Sequence, residues 1–443
     1  MPAESAAIGV AVIGAGGAGL LAGLASARAG ARTVLYERMK SPAKKVAISG
    51  GGRCNFSNSL DPRQFIKLFG DRNAPLLGHS LRAFSRDDLV EMLAKYGVEG
   101  QLERNYRLYT KSGKGTDVVR ALVSEFEEAG GELVTGACIR EVAREPDGSY
   151  LLRAEFGGVP GERRARTVVV TTGGLSYPAT GSTGDGYLWA RRFGHGVTDL
   201  RAALVGLTVE EAWTRGLQGL AWPDALATLW PPAAEGGGPD PGARRPLAEE
   251  RAEIVFTHFG ISGPAILDVS NVFVARGLTR AALALDFFPD LSREELDRNL
   301  LDRFQKHPNR GLARALEGLM PARLLDHFES MLGLEPDTVA CRVSREKRLG
   351  LLDLLKRTAL SVTGTRGIEY GEVTAGGVEW KDLDPATLES CLSPGLYFAG
   401  EILDLTGRCG GFNLQAAFST GYLAGRSAAE RAGGSEFRDG ENP

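Results

Sequence analysis

The sequence predicts an α/β fold in which one nucleotide-binding domain is built from both ends of the chain and interrupted by a long insertion. Three observations predict it. A strand–glycine loop–helix–strand pattern opens the chain, a stretch rich in short strands and then helices fills the middle, and a strand–glycine turn–helix pattern closes it. At 443 residues the chain is too long for one ordinary core, so two or three compact units are expected.

Residues 9–13 are a short β-branched apolar run and read as a buried strand. Gly14-Ala15-Gly16-Gly17-Ala18-Gly19 follows, then a small-residue helix over 20–29 that stops at Gly30, then a second strand over 32–36 ending in Glu37. Gly14, Gly16 and Gly19 match G-x-G-x-x-G, and Glu37 stands 18 residues after Gly19. Each part has a task. The first glycine permits the tight turn, the second lets backbone approach a pyrophosphate, and the third lets helix and strand pack closely. The helix N-terminus offers free N–H groups and a positive dipole end. Glu37 can accept from both ribose hydroxyls and would repel a 2′-phosphate, which disfavours NADP in this site.

A second glycine loop runs Lys44-Lys45-Val-Ala-Ile-Ser49-Gly50-Gly51-Gly52-Arg53-Cys54-Asn55. Three successive glycines let a chain pass close to a flat ligand with its N–H groups exposed. Ser49, Arg53 and Asn55 add polar contacts. An NAD enzyme has no need of such a loop directly after its ribose acid; the larger, more buried FAD does. Residues 60–97 read as mainly helical, and 131–142, 150–155 and 166–171 as strands.

Residues 200–291 carry short strands, interrupted by the Pro-, Gly- and Ala-rich stretch 231–246, which reads as a mobile loop between strands. Residues 292–357 read as helical. A strand over 395–399 then ends in Gly400-Glu401, placing a carboxylate where ribityl hydroxyls could bind. Gly410-Gly411-Phe412-Asn413-Leu414 opens a last helix from about 413 to 429. A helix N-terminus aimed at the flavin N1/C2=O region would stabilise the charge of the reduced ring. The domains expected are therefore 1–199 with 358–443 for the cofactor, 200–291 for a β-rich insertion, and 292–357 for a helical unit within it.

Composition excludes several classes. Charged residues make up 24% and net charge is −3, so no dominant polyanion-binding face is expected, although Arg191-Arg192, Arg244-Arg245 and Lys347-Arg348 form local basic clusters. The five scattered cysteines form no CxxC, which argues against zinc, any other metal centre or a disulfide framework and fits a reducing cytoplasm. No apolar run approaches the ~20 residues of a membrane span, and no signal peptide is read at the N-terminus.

Together the segments VAVIGAGGAGL (10–20), KKVAISGGGRCNFSN (44–58), TTGGLSYPATGSTGDGY (171–187), FTHFGISGPAIL (256–267), VTAGGV (373–378) and GLYFAGEILDLTGRCGGFNLQAAFSTGYLAG (395–425) resemble the BaiN/RdsA family of NAD(P)/FAD-dependent oxidoreductases, also described as aminoacetone-oxidase-like flavoproteins. They span nearly the whole chain in order. The resemblance implies a discontinuous Rossmann-type FAD-binding domain, distantly similar to the fumarate reductase flavin group, with an inserted β-barrel-like domain and a helical unit nested in it. It implies FAD contacts at Gly14, Gly16, Gly19, Glu37, Ser49, Gly50, Gly51, Gly52, Gly400, Glu401, Gly411, Phe412, Asn413 and Leu414, with Ile139 presenting its backbone to the adenine. Ala15, Arg38, Lys45, Arg53, Cys54, Asn55 and Gly173, within or beside these segments, complete the expected set. One departure is Tyr106-Arg-Leu-Tyr-Thr110, where relatives carry a segment like GRVFP.

No second G-x-G-x-x-G follows a strand, so either NAD(P)H, the expected electron donor, docks directly on the flavin face, or electrons arrive from elsewhere. Reduction of a polarised C=C bond also needs a proton donor. Cys54, with a pKa tuned by Arg53 or a helix end, Cys409, just before Gly410-Gly411, and His258, at a strand end before the Ser262-Gly-Pro helix start, are the candidates. Within the family, members are linked to unsaturated steroid-like molecules and to uracil in ribosomal RNA. An amine oxidase-type activity, or an RNA-binding assembly protein with structural FAD, are the alternatives.

Overall fold

Apolar strands with no polar face must be covered on both sides, and this requirement organises the first unit. In the computed structural model, which describes residues 8–69, 72–232, 245–335 and 338–433, the chain divides into two compact units, 1–202 with 371–443 and 203–370.

The first unit is built on a seven-stranded sheet. Its centre is β1 (Ile8–Ile13), parallel to β2 (Thr33–Glu37) on one side and to the end of Val159–Val170 on the other. Glu132–Thr135 extends the sheet beyond β2, and Leu396–Phe398 adds in parallel to Val168–Val170. The far edge is an antiparallel meander of Ala137–Arg144, Tyr150–Phe156 and the first half of Val159–Val170. The expected single strand over 131–142 is two strands, broken where Gly136 takes φ +68°. Residues 60–97 fold as the helices Pro62–Phe69, Leu77–Ala83 and Arg86–Lys95.

The two ends of the chain meet through glycine. Helix α1 (Gly17–Arg28) lies against the C-terminal helix Phe412–Gly433, and side chains at Gly421 and Gly425 would overlap the backbone of Ala18 and Ala22. Only bare backbone permits so close an approach. Ser26 ties the pair by donating to the carbonyls of Ala22 and Gly425, each at 2.8 Å.

The second unit contains a closed six-stranded barrel in the order Leu207–Val209, Gly260–Ser262, Ala248–Thr257, Ala221–Trp230, Ala281–Asp286, Thr358–Thr365. Closure leaves no unpaired edge. Helices Arg293–Lys306, Leu312–Ala315, Ala322–Met331 and Arg345–Arg357 lie in the same unit and share one core with the barrel, including Leu296, Leu300, Phe328 and Leu355. Thr358–Thr365 pairs with Ala281–Leu285 and completes this barrel. The expected return to the cofactor domain at residue 358 is therefore too early, and the first unit resumes at Gly371. The sequence pattern of 358–365 is simply that of a strand, and nothing local says which sheet it joins. The core of the mobile loop expected at 231–246, residues 233–244, lies outside the described residues.

Candidate cofactor and active site

The phosphate loop forms as its glycines require. Gly14 has φ +102°, and an added Cβ would press on the Thr171 carbonyl. At Gly19 an added Cβ would overlap the Gly14 carbonyl. At Gly16, the residue before α1, it would meet no heavy atom within 4 Å. The outer two glycines are thus demanded by the fold, and the middle one faces open space at a helix N-terminus. Thr171, at the end of Val159–Val170, donates to the carbonyls of Ile13 and Gly14 at 3.0 and 2.8 Å and clamps the turn.

Glu37 is buried beside this loop. Its Oε2 accepts the Ala15 N–H at 2.9 Å and its Oε1 accepts the Met39 N–H at 2.7 Å. Burial pushes its pKa up, partly offset by those two N–H groups. Each oxygen keeps a lone pair for a ribose hydroxyl. Arg38 turns to Asp185 at 2.7 Å, to Thr183 and to the Cys138 thiol at 3.2 Å. Ile139 lies at a register shift between Ile139 and Glu141 in the edge meander.

In the second loop Gly50, Gly51 and Gly52 have φ of +57°, +68° and +86°. An added Cβ at Gly51 or Gly52 would meet nothing within 4 Å. The strand that follows, Asn55–Asn58, is fully buried although three of its four residues are polar. These side chains hold the C-terminal glycine turn. Asn58 Nδ2 donates to the Gly410 carbonyl at 3.0 Å, and the Asn55 carbonyl accepts the Gly411 N–H at 3.1 Å in the amide orientation that satisfies its neighbours. Ser57 donates to Gln415 Oε1 at 2.6 Å, and an added Cβ at Gly411 would overlap the Ser57 carbonyl. Asn413 shapes the same turn, accepting the Gly407 N–H at 2.8 Å and donating to the Gly407 carbonyl at 3.1 Å. The second glycine loop and the N-terminal end of the last helix, with Phe412 and Leu414, are therefore one structure.

Glu401 anchors a third polar group. Lys45 Nζ lies 2.7 Å from Glu401 Oε2 and 2.6 Å from Ser176 Oγ. Ser176 donates to Glu401 Oε1 at 2.9 Å, and the Thr374 N–H donates to the same oxygen at 2.9 Å. Gly400 abuts Ala18, and Gly173, at φ +73°, packs on Ser182.

Two expectations are corrected. Cys54 does not face an accessible space. It is 0% exposed, beside Gly115 in the core, and burial pushes its thiol up to about 11, only partly offset by a hydrogen bond with Ser49. Arg53 does not lower it, because the guanidinium lies 4.1 Å over the Tyr109 ring and pairs with Glu103. His258 stands where the strand-end reading put it, in the insertion, exposed on the turn between Ala248–Thr257 and Gly260–Ser262. Ser57, Asn58, Thr171, Ser176, Thr374 and Gln415 were not singled out from the sequence. The run of buried polar residues after the glycine loop is the signal that could have found the first two.

A family model described as HI0933-like protein Rossmann domain matches residues 8–427. The chain belongs to this family. Members of the HI0933-like family are flavin-dependent oxidoreductases with a Rossmann-type FAD-binding domain. The chain is 30% identical over 415 residues to the ribosomal RNA dihydrouridine synthase of Escherichia coli, covering 93% of this chain and 95% of that one. It is 29% identical over 428 residues to the 3-dehydro-bile acid delta(4,6)-reductase of Clostridium scindens, covering 95% and 99%. A 3-ketosteroid-delta4-(5alpha)-dehydrogenase from Rhodococcus jostii shares the fold at a TM-score of 0.53 and 16% identity, covering 97% of this chain and 98% of that one. Two features of this HI0933-like chain fit FAD: the glycines where a Cβ would protrude into open space, and the joining of the strand after the second glycine loop to the C-terminal glycine turn. No group of three or more His, Cys, Asp or Glu among the described residues could hold a metal, and no described helix is long and apolar enough to cross a membrane.

Proposed function

We propose that this flavoprotein uses NADH or NADPH to reduce a carbon–carbon double bond activated by a neighbouring carbonyl. One observation carries the reading: two relatives that match almost end to end are named for different substrates but the same bond change, one a bile acid delta(4,6)-reductase and the other a dihydrouridine synthase. The bond change is the shared property; the substrate, an unsaturated small molecule or uracil in RNA, is the variable one.

FAD, when bound, supplies a hydride acceptor and donor at its N5. The chain's own residues bind and orient. Gly14, Gly16 and Gly19 with the α1 N-terminus take the pyrophosphate, and Glu37 takes the adenosine ribose. Lys45, Ser176 and Thr374 fix the Glu401 carboxylate toward the ribityl chain. The Gly410–Leu414 helix end sets a positive dipole where negative charge develops. Cys54 is too deeply buried to hand a proton to substrate, so the donor in this reading is His258 or the half-buried Cys409 beside the Gly410 turn. With no second strand-borne G-x-G-x-x-G in the sequence, NADH or NADPH would dock on the flavin face rather than in a Rossmann site of its own.

The test is anaerobic. The purified protein is mixed with NADH or NADPH, flavin bleaching is followed, and reoxidation by an unsaturated 3-oxosteroid or by unmodified rRNA is measured. Bleaching by a nicotinamide and reoxidation by an alkene acceptor are expected. A flavin that neither coenzyme bleaches would sink the proposal.

A further inference from the structure

The second unit holds a cleft of about 610 Å³ that contains none of the expected cofactor residues. Its walls come from the start of strand Ala221–Trp230, the loop after Ala281–Asp286 and the turn before helix Ala322–Met331. Trp222, Phe287 and Phe288 form an aromatic wall, the Trp222 ring meeting the two phenylalanines edge-on at 5.0 and 5.4 Å. Pro223, Pro289 and Pro321 also line the cleft. Proline fixes its own backbone and brings no N–H, so these walls are stiff and offer no donor.

The backbone acceptors of the same loop are already engaged. Trp222 Nε1 donates to the Phe287 carbonyl at 3.0 Å, and Lys356 Nζ donates to the carbonyls of Phe288 and Leu291 at 2.9 and 2.7 Å. What remains is charge. Asp224 and Asp290 are the only charged residues that line the cleft, and Arg251, which ties them together, does not line it. Arg251 donates to Asp224 at 2.9 and 2.7 Å and to Asp290 at 2.7 and 2.5 Å. Two carboxylates thus share one guanidinium and leave one negative charge in excess. The same guanidinium holds the Asp290 carboxyl below its ordinary range, so it stays ionised at neutral pH.

We propose that this cleft is a binding site for a small organic cation, a protonated amine carried on a flat apolar ring. The volume lies within the range of about 300–1,000 Å³ usual for small-molecule sites. The ring packs on the aromatic and proline walls, and the ammonium meets the spare lone pairs of the two carboxylates and the faces of the aromatic wall. A neutral ligand would cover the acids without giving them a partner, and an anion would be repelled. A bare divalent cation needs about six oxygen ligands, which two aspartates among apolar walls do not supply. An extended peptide pairs through backbone groups, and here prolines and filled carbonyls leave little to pair with. The site is independent of the reductase reading, since it shares no residue with the glycine loops or the proton-donor candidates.

The experiment uses the FAD-loaded full chain and three probes of one shape: protonated tryptamine, neutral tryptophol and anionic indoleacetate. Each is titrated by calorimetry while the flavin absorbance is followed. Tryptamine should bind once per chain with a dissociation constant of about 1 mM or lower, tryptophol at least about fivefold more weakly, and indoleacetate not measurably. The flavin spectrum should not move. Asp290 is exposed, so its variants should keep the melting temperature and FAD content of wild type. Asp290→Asn should weaken tryptamine binding by about threefold, and Asp290→Lys, which reverses the charge, by about tenfold or more. No tryptamine binding by the wild type overturns the site. Equal affinity for tryptophol overturns the assignment to a cation. Wild-type affinity in Asp290→Lys, or a flavin spectrum that shifts with the amine, places the binding elsewhere and overturns the location.

Discussion

Asn58 Nδ2 donates to the carbonyl of Gly410 at 3.0 Å, joining residues 352 positions apart in the chain. The same side chain accepts the Leu60 N–H at 3.1 Å and is 2% exposed. Its loss leaves two buried backbone groups without partners. Asn58→Ala should therefore destabilise the protein by about 2 kcal/mol and loosen the glycine turn before the last helix. Urea denaturation of the apoprotein measures the first effect, and FAD titration the second. An unchanged midpoint would show that the bond is dispensable.

The two glycines of the phosphate loop should separate folding from binding. Gly16→Ala adds a methyl into open space, so apoprotein stability should stay within about 0.5 kcal/mol of wild type, while FAD affinity drops by tenfold or more because the methyl stands where the phosphates approach. Gly19→Ala drives a methyl into the Gly14 carbonyl and should cost about 3 kcal/mol or more. Thermal melts with and without FAD distinguish the two. Equal effects of both substitutions on the apoprotein would contradict the geometry.

Glu37→Ala removes a carboxylate that accepts two N–H groups and faces the expected ribose site. FAD affinity should fall by roughly 10- to 100-fold, the range for about 1–3 kcal/mol of lost hydrogen bonding. Quenching of flavin fluorescence on titration reads this directly, and an unaltered dissociation constant would remove the residue from the site.

His195 predicts an acid-sensitive fold. It is 3% exposed, its Nε2 sits 2.8 Å from Ser390 Oγ, its ring meets Phe398 edge-on at 4.8 Å, and its Nδ1 has no hydrogen-bond partner among the described residues. Burial lowers its pKa, with Asp382 opposing. A histidine whose folded pKa lies below its unfolded value, about 6.5, binds more protons when unfolded. Its contribution is thus present above that pH and is lost as pH falls below it toward the folded pKa. The stability gap between wild type and His195→Gln should narrow on going from about pH 8 to about pH 5. A gap independent of pH would refute the assignment.

Cys54→Ala should leave turnover within about twofold of wild type and lower stability by about 1 kcal/mol, and the native thiol should resist alkylation at neutral pH. Its pKa, raised to about 11, keeps the reactive thiolate scarce. A large loss of turnover with normal FAD content would restore it as a donor.

Several features were legible in residues alone. Gly14, Gly16, Gly19 and Glu37 declare themselves because a tight turn, a close approach and an acid at the next strand end are local demands with fixed spacing. The Gly50–Gly52 loop is readable for the same reason. Cys54 misled because position in a glycine loop says nothing about which way a side chain points; its backbone, at φ +53°, turns the thiol inward. The strand at Thr358–Thr365 misled because a strand's pattern does not name its partner.

The sequence by itself determined the nucleotide loops, the interrupted order of the cofactor domain and its family, since these rest on short-range geometry and on motifs kept in order. Only the tertiary structure decided which distant groups meet: Asn58 with Gly410, Lys45 with Glu401, Arg366 between Phe259 and Tyr370. Hydrogen bonds and ring stacks act over a few ångströms, and the order of residues along a chain does not specify which of them the folded sheet and barrel bring within that reach.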